Sequence, residues 1–195
     1  KNNDNYLKNE NNKNFVISLA EQCWLNEYIW FETKNEFTEI KILKEKIEKD
    51  FKINELEIAI LACYLPLNSL DKINARLINY VSDNAYFNDL INLQLKEPIK
   101  EIELKKDIKS ISQFKNKISK EVRKQYETNP YPRWRYCNQL YAINLEHDLN
   151  YQIRPNKLNF EKKTEKIDIL LAGCGTGKHL INIGKYDNSN ILAID

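Results

Sequence analysis

The sequence predicts an α/β protein in which a mainly helical N-terminal domain precedes the start of a parallel β-α-β sheet. The first observation is that apolar residues recur at three- and four-residue spacing from Phe15 to about residue 125, without a convincing strand. The second is that glycine is absent until Gly173, where a short apolar run meets a glycine-rich loop. Together these observations place the helices first and the sheet last.

Four regions follow from changes in composition along the chain. Residues 1–14 are rich in asparagine and lysine and are predicted to be a disordered leader. Residues 15–125 form the helical domain, and residues 126–164 are a connector rich in aromatic residues and in proline, which disfavours helix. Residues 165–195 hold the first β-α-β unit, which is incomplete as a domain.

Local sequence signals predict where individual helices of the helical domain begin and end. Asn54, followed by Glu57 three residues later, predicts a capping box at the start of a helix whose apolar run stops at Pro66. A later helix is predicted to end before Pro98, because a proline inside a helix lacks the amide donor that the helix needs. The first helix is marked by apolar residues at helical spacing, namely Val16, Leu19, Ala20, Cys23 and Trp24.

Composition and charge exclude several classes of function. The 30 basic and 28 acidic residues give a formal charge of +2. Nucleic acid is therefore not an expected partner, although basic and aromatic residues interleave between Lys96 and Arg135. No apolar run reaches the roughly 18 residues of a membrane span, and the first residues lack the apolar core of a secretory signal. We expect a cytoplasmic protein with no membrane partner, and the sequence gives no oligomeric state.

The cysteines indicate neither a metal site nor a disulfide. They lie in four different predicted elements, without a CxxC pair and without a cysteine–histidine spacing that suits zinc. We expect buried thiols in a reducing compartment and predict no metal ligand. The four residues are Cys23, Cys63, Cys137 and Cys174.

Residues 167–195 have the pattern of a strand, a glycine turn, a helix and a second strand. The run Ile167–Ala172 is apolar almost throughout, which is typical of a parallel strand buried on both faces. Glycines follow, then an amphipathic stretch, then the apolar run Ile191–Ile194 and finally Asp195. This order is that of the first half of a nucleotide-binding α/β unit.

Three kinds of ligand-binding loop fit such a pattern to different degrees. A P-loop has a glycine at the position of Ala172 and a hydroxyl side chain at the position of His179, so two of its defining residues are absent. A dinucleotide loop has its third glycine at the position of Lys178, where a side chain obstructs packing of the helix on the strand. The dinucleotide interpretation is weakened but stays open, as does a plain glycine turn.

The observed spacing suits S-adenosyl-L-methionine, which is the third candidate. This ligand has no pyrophosphate, so the loop has only to let the main chain lie close to the adenosyl and methionyl groups, where side chains would block the approach. Asp195 ends the next strand and would accept hydrogen bonds from the paired ribose hydroxyls, as in the analogous nicotinamide site.

Further motifs narrow this interpretation to a family. LLAGCGTGKHL followed by ILAID resembles the first two motifs of class I S-adenosylmethionine-dependent methyltransferases. VRKQYETNPYPRW and the upstream AEQCWLNEYIWFET resemble a bacterial group in which a helical region, sometimes preceded by tetratricopeptide repeats, leads into such a domain. The resemblance covers about half of the chain and implies a Rossmann-like methyltransferase sheet.

The resemblance also implies a function and a set of site residues. The protein would use S-adenosyl-L-methionine to methylate a small molecule or a protein that the sequence does not identify. Gly173, Gly175 and Gly177 would line the cofactor, and Asp195 would bind its ribose. Cys174 and Thr176 would contribute main chain or a hydroxyl group beside it.

The connector is expected to act as a lid over this site. Arg133 would pair with the carboxylate of the cofactor, since a planar guanidinium suits bidentate recognition. Tyr131, Trp134 and Tyr126 would exclude water from the site. The alternative is that these aromatic residues only attach the connector to the helical domain.

The resemblance implies a larger sheet than the sequence supplies, because the sequence stops after the second strand. There is no methionine, even at position 1. We therefore expect an excerpt of an enzyme, truncated after its second strand. Two strands cannot bury both faces of the sheet or enclose a ligand, so we expect little or no activity from it alone. No catalytic base is assigned, and His147 and His179 are expected to face solvent. The alternative function is a helical protein-interaction module with a degenerate nucleotide-binding stub.

Overall fold

The computed structural model describes residues 10–109, 116–130, 132–138, 140–159 and 166–195. The chain divides into two compact units, Lys1–Gln113 and Phe114–Asp195. The first unit is helical in its described part, and the second combines helices with a two-stranded parallel sheet. The coarse prediction of a mainly helical chain with a small parallel sheet near its C-terminal end is therefore confirmed.

The first unit, which we call the helical unit, packs around α1. In chain order its elements are α1 (Glu10–Leu25), α2 (Lys34–Lys49), α3 (Glu55–Ala62), a 3₁₀ turn (Leu67–Ser69), α4 (Asp71–Leu77), α5 (Ala85–Ile91), a π turn (Asn92–Lys96) and α6 (Glu97–Lys105). α1 packs mainly against α3 and α5, and α2 packs against α3. The core between these helices includes the buried side chains of Ile17, Ile58, Leu61, Phe87 and Leu90.

The start of α1 lies inside the predicted leader. Residues 10–14 were expected to be disordered, but they are helical. Tertiary contacts explain the difference. Lys13 forms an ion pair with Glu55 of α3, and Asn14 accepts a hydrogen bond of 2.7 Å from the side-chain amide of Asn84. Such contacts stabilise a segment whose polar composition gives it little tendency to fold alone. The rest of the predicted leader lies outside the described residues.

Capping side chains determine where α2 and α3 begin. At α2, the Thr33 hydroxyl accepts a hydrogen bond from the Glu36 amide at 3.2 Å, and the Glu36 carboxylate accepts one from the Thr33 amide at 2.8 Å. This reciprocal pair is a capping box, and it was not predicted. At α3, Asn54 caps the helix as predicted. Glu57, its expected partner, pairs with Lys46 of α2.

The helical path continues through Pro98, where a helix was predicted to end. The π turn follows α5, and α6 then starts with Pro98 in its first turn. A proline is tolerated there because the first amides of a helix have no partner within the helix. The predicted end of the helix before Pro98 is therefore wrong, because Pro98 lies in the first turn of α6 and not in the interior of a helix.

The second unit contains the predicted β-α-β segment and two preceding helices. Its elements are α7 (Lys117–Thr128), α8 (Leu145–Gln152), β1 (Ile167–Ala172), α9 (Lys178–Ile183) and β2 (Ser189–Ile194). The strands pair in parallel, from Ile167 opposite Ser189 to Ala172 opposite Ile194. β1 has the predicted bounds, whereas β2 begins earlier than the predicted run. α7 crosses the expected border between the helical domain and the connector, and α8 lies within the expected connector.

One face of this sheet is exposed. Leu170 and Leu192 lie opposite each other on the two strands, and their side chains are 61% and 63% exposed. The neighbours on the other face, such as Ile169 and Ile191, are partly buried. This agrees with the expectation that two strands alone do not bury both faces of a sheet, because the described residues supply two strands and cover only one of their faces.

α8 attaches the connector to the turn between α9 and β2. The Asp148 carboxylate accepts hydrogen bonds from the Tyr186 hydroxyl at 2.7 Å and from the Lys185 ammonium at 3.0 Å. The hydrogen bond from Tyr186, followed by that from Lys185, lowers the pKa of Asp148. Just before α8, the Ile143 amide donates to the Lys185 carbonyl at 2.8 Å. The second half of the connector is thus held against the β-α-β segment.

The cysteines comprise a buried pair and two more accessible thiols. Cys23 and Cys63 lie together in the core of the helical unit, and burial raises their pKa values to about 11 and about 12. Both are therefore protonated at neutral pH and poor nucleophiles. Cys174 is partly buried and Cys137 is exposed, so the expectation of four buried thiols is wrong.

Candidate cofactor-binding site

The glycine loop, residues 173–177, connects β1 to α9 and folds against the end of β2. The amides of Gly173 and Cys174 both donate to the carbonyl oxygen of Ile194, at 2.8 and 3.1 Å. The Gly177 amide donates to the Cys174 carbonyl at 2.9 Å and closes the turn. The loop therefore lies at the carboxyl ends of both parallel strands, the edge at which open α/β sheets bind ligands.

The three glycines of this loop adopt a backbone conformation that other residues rarely adopt. The φ angle is +74° at Gly173, +50° at Gly175 and +84° at Gly177, all in the left-handed region. A Cβ atom at any of these positions would meet no other atom within 4 Å. Glycine is thus required by the backbone conformation and not by crowding, and the space beside each glycine is open.

Asp195 lies at the same edge of the sheet as the glycine loop. Its Oδ1 atom accepts a hydrogen bond of 3.0 Å from the Gly175 amide, and its side chain is exposed. A carboxylate can accept several hydrogen bonds, so this contact leaves capacity for another donor. The structure therefore brings together the loop and the acid, which are separated by 20 positions in the sequence.

The connector contacts the glycine loop at Thr176. The indole Nε1 of Trp134 donates to the carbonyl oxygen of Thr176 at 3.1 Å. In return, the Thr176 hydroxyl donates to the carbonyl oxygen of Pro132 at 3.0 Å. Arg133 lies between these two connector residues and is half-buried. Its pairing with a cofactor carboxylate stays a prediction.

The structure places the other residues predicted for the site and its lid as follows. Tyr131 lies outside the described residues. Tyr126, on α7, is 64% exposed, and its role in excluding water stays a prediction. His147 and His179 are exposed, as expected. Cys174 contributes its main-chain amide to the loop, and no role is assigned to its thiol.

Sequence reasoning missed the acceptors that hold the loop in place. These are the carbonyl oxygens of Ile194 and Pro132. Main-chain groups carry no signal of their own, because every residue has them. The available hint was Thr176, whose hydroxyl in an otherwise small-residue loop needs a hydrogen-bond partner when it is half-buried.

The described residues contain neither a cluster of metal ligands nor a helix that could span a membrane. Within the ranges that the structure describes, no group of three or more histidine, cysteine, aspartate or glutamate side chains could hold a metal ion. None of the described helices combines the length and the apolar character that crossing a membrane requires.

Comparisons of the chain with protein-family models, with curated proteins and with solved structures found no match. The resemblance to methyltransferases therefore depends on the sequence motifs alone.

Proposed function

We propose that the second unit binds S-adenosyl-L-methionine at the glycine loop and Asp195, and that the protein is an S-adenosylmethionine-dependent methyltransferase. One observation carries the proposal. The Gly175 amide donates to the Asp195 carboxylate at 3.0 Å, so main chain without side chains lies next to an exposed acid. On this interpretation β1, α9 and β2 form the first unit of a Rossmann-like sheet. The methyl acceptor is a small molecule or a protein.

The open side of the glycine loop suits a close approach of the adenosyl group. No atom lies near the positions that side chains would occupy at Gly173, Gly175 and Gly177. The Asp195 carboxylate can accept hydrogen bonds from ribose hydroxyls while it keeps its contact with Gly175. Its negative charge also disfavours a phosphate at the same place, which argues against a P-loop type of ligand.

Methyl transfer requires few catalytic side chains. The sulfonium of S-adenosyl-L-methionine already activates the methyl group, so the protein has mainly to align the acceptor for in-line attack. The proposal therefore rests on binding and orientation, and it assigns no catalytic base. The competing hypothesis, a helical interaction module with a degenerate stub, predicts that no adenosyl ligand contacts the glycine loop.

An NMR titration of the isotope-labelled chain tests the proposal. S-adenosyl-L-methionine, ATP and NAD⁺ are added in separate experiments up to millimolar concentration. We expect S-adenosyl-L-methionine to shift the amide signals of Gly173, Gly175 and Asp195. NMR is suited to this test because it detects weak binding, and two strands enclose a ligand only in part.

Paired aspartate variants provide the control for this titration. Asp195→Asn removes the charge at the proposed ribose contact and should weaken binding roughly tenfold or more. Asp168→Asn removes an exposed acid of β1 that bonds to Asn190, and it should leave the affinity unchanged. The proposal is wrong if S-adenosyl-L-methionine shifts no loop signal, or if NAD⁺ binds the loop more tightly.

A further inference from the structure

We propose that residues 132–134 of the connector form a strap that holds the glycine loop in the conformation that receives the cofactor, and that Trp134 and Thr176 are positioning residues. The inference rests on the proposed function for the identity of the ligand. The hold of the strap on the loop rests on the hydrogen bonds that Thr176 forms with Trp134 and Pro132.

The strap forms hydrogen bonds with both the carbonyl and the hydroxyl group of Thr176. The carbonyl oxygen of Thr176 accepts from the Trp134 indole at 3.1 Å, and the Thr176 hydroxyl donates to the Pro132 carbonyl at 3.0 Å. The two bonds run in opposite directions between the same two segments, so together they fix both the position and the orientation of Thr176. An indole N–H is a donor only, and the half-buried Trp134 finds its acceptor here.

The glycine loop needs such an external constraint. Thr176 lies between Gly175 and Gly177, whose φ angles are +50° and +84°. Glycine has the widest choice of backbone conformations, so ordering it costs more conformational entropy than ordering other residues. No atom lies within 4 Å of the place that a Cβ atom would take at these glycines, so side-chain packing does not restrain them. The strap, in contrast, includes Pro132, whose ring fixes φ.

The connector that contains the strap is also anchored at a second place on the β-α-β segment. Farther along the connector, the Ile143 amide donates to the Lys185 carbonyl at 2.8 Å, and Asp148 accepts from Tyr186 at 2.7 Å. The connector therefore spans from the glycine loop to the turn between α9 and β2. A connector held at two places keeps the strap on the loop more firmly than a free segment could.

This geometry changes the role expected of Thr176. Its hydroxyl is directed to the connector, so the side chain sets the backbone of the two neighbouring glycines and is not itself a cofactor ligand. Trp134 acts in the same way through the carbonyl of Thr176. Both residues then affect cofactor affinity without touching the cofactor.

The test compares variants that remove one strap bond with variants that keep it. Trp134→Phe removes the indole N–H and retains an aromatic ring, and Thr176→Val removes the hydroxyl and retains the shape. Thr176→Ser keeps the hydroxyl, and Trp30→Phe makes the same exchange in the helical unit. Amide hydrogen exchange of the glycine loop is measured in the ligand-free chain. Affinity for S-adenosyl-L-methionine is then measured by the NMR titration.

We expect Trp134→Phe and Thr176→Val each to speed exchange of the Gly175 and Gly177 amides roughly 2- to 12-fold. Each should also weaken cofactor binding by a similar factor, while the two control variants change neither quantity. The double variant should lose less than the product of the two single effects, because both bonds serve the same contact.

Two results would overturn the proposal. One is unchanged exchange of the loop amides in both Trp134→Phe and Thr176→Val. The other is faster exchange in these variants with undiminished cofactor affinity, because the strap would then hold the loop without positioning a ligand. If the unaltered chain binds no adenosyl ligand while both variants exchange faster, the proposed function is refuted and the hold of the strap on the loop is supported.

Discussion

Replacement of Gln94 by leucine is expected to destabilise the helical unit strongly. Gln94 lies in the π turn, and its side chain is fully buried. Its Oε1 atom accepts from the Leu67 amide at 3.2 Å, and its Nε2 atom donates to the carbonyl oxygens of Ala20 and Ala62 at 3.0 and 3.3 Å. One side chain thus joins the π turn to α1, to the end of α3 and to the 3₁₀ turn.

The magnitude follows from the groups that leucine would leave without a partner. A buried amide that loses its acceptor costs about 1–3 kcal/mol, and the Leu67 amide belongs to a fully buried residue. The two carbonyls lose less, about 1 kcal/mol together, because Ala62 keeps the Tyr28 hydroxyl as a donor at 3.3 Å. Leucine is close to glutamine in size, so no large cavity opens. We expect a loss of about 2–4 kcal/mol in the free energy of unfolding.

Urea denaturation followed by far-ultraviolet circular dichroism measures this loss, since most of the described helical residues belong to the helical unit. Gln22→Leu is the matched control. Gln22 lies on the exposed face of α1 and bonds to the Asn26 side chain at 3.0 Å, so its replacement should change stability by less than about 0.5 kcal/mol. A Gln94→Leu variant whose stability lies within about 0.5 kcal/mol of that of the unaltered chain would refute this prediction.

Two further predictions concern backbone strain and pH. Glu27 has a φ angle of +56°, so Glu27→Gly should raise the free energy of unfolding by about 0.5–1 kcal/mol in the same urea experiment, and a loss would contradict this. The Tyr186 hydroxyl lowers the pKa of Asp148, so the carboxylate contributes stability above its unfolded pKa of about 3.9 and loses it as the pH falls through the lower folded pKa. The stability difference between the unaltered chain and Asp148→Asn should therefore shrink below about pH 4, and a constant difference would argue against it.

Elements with strong local signals were predictable in type and position. β1 has its predicted bounds, because a polar segment precedes the apolar run and Gly173 follows it. Asn54 caps α3 as expected, because a cap depends on residues within one turn of the chain. The glycine loop was located for the same reason, since positive φ angles favour glycine at each of its three positions.

Elements that depend on distant partners were predicted less well. Residues 10–14 have a polar composition, yet Lys13 and Asn14 find partners on α3 and beside α5. The Thr33 capping box was the exception, because a local signal was present and was overlooked.

The sequence by itself determined the order of helices and strands and the position of the glycine loop, because periodicity and backbone preference act between neighbours along the chain. The motif also predicted that Asp195 shares a site with the loop. Only the tertiary structure decided that the Gly175 amide donates to this acid and that Thr176 meets Pro132, contacts that join residues 20 and 44 positions apart. Parallel pairing of β1 with β2 brings the loop and the acid to one edge, and the path of the connector brings the strap to the loop. Neither arrangement follows from local preference, since each depends on the folded path of the chain.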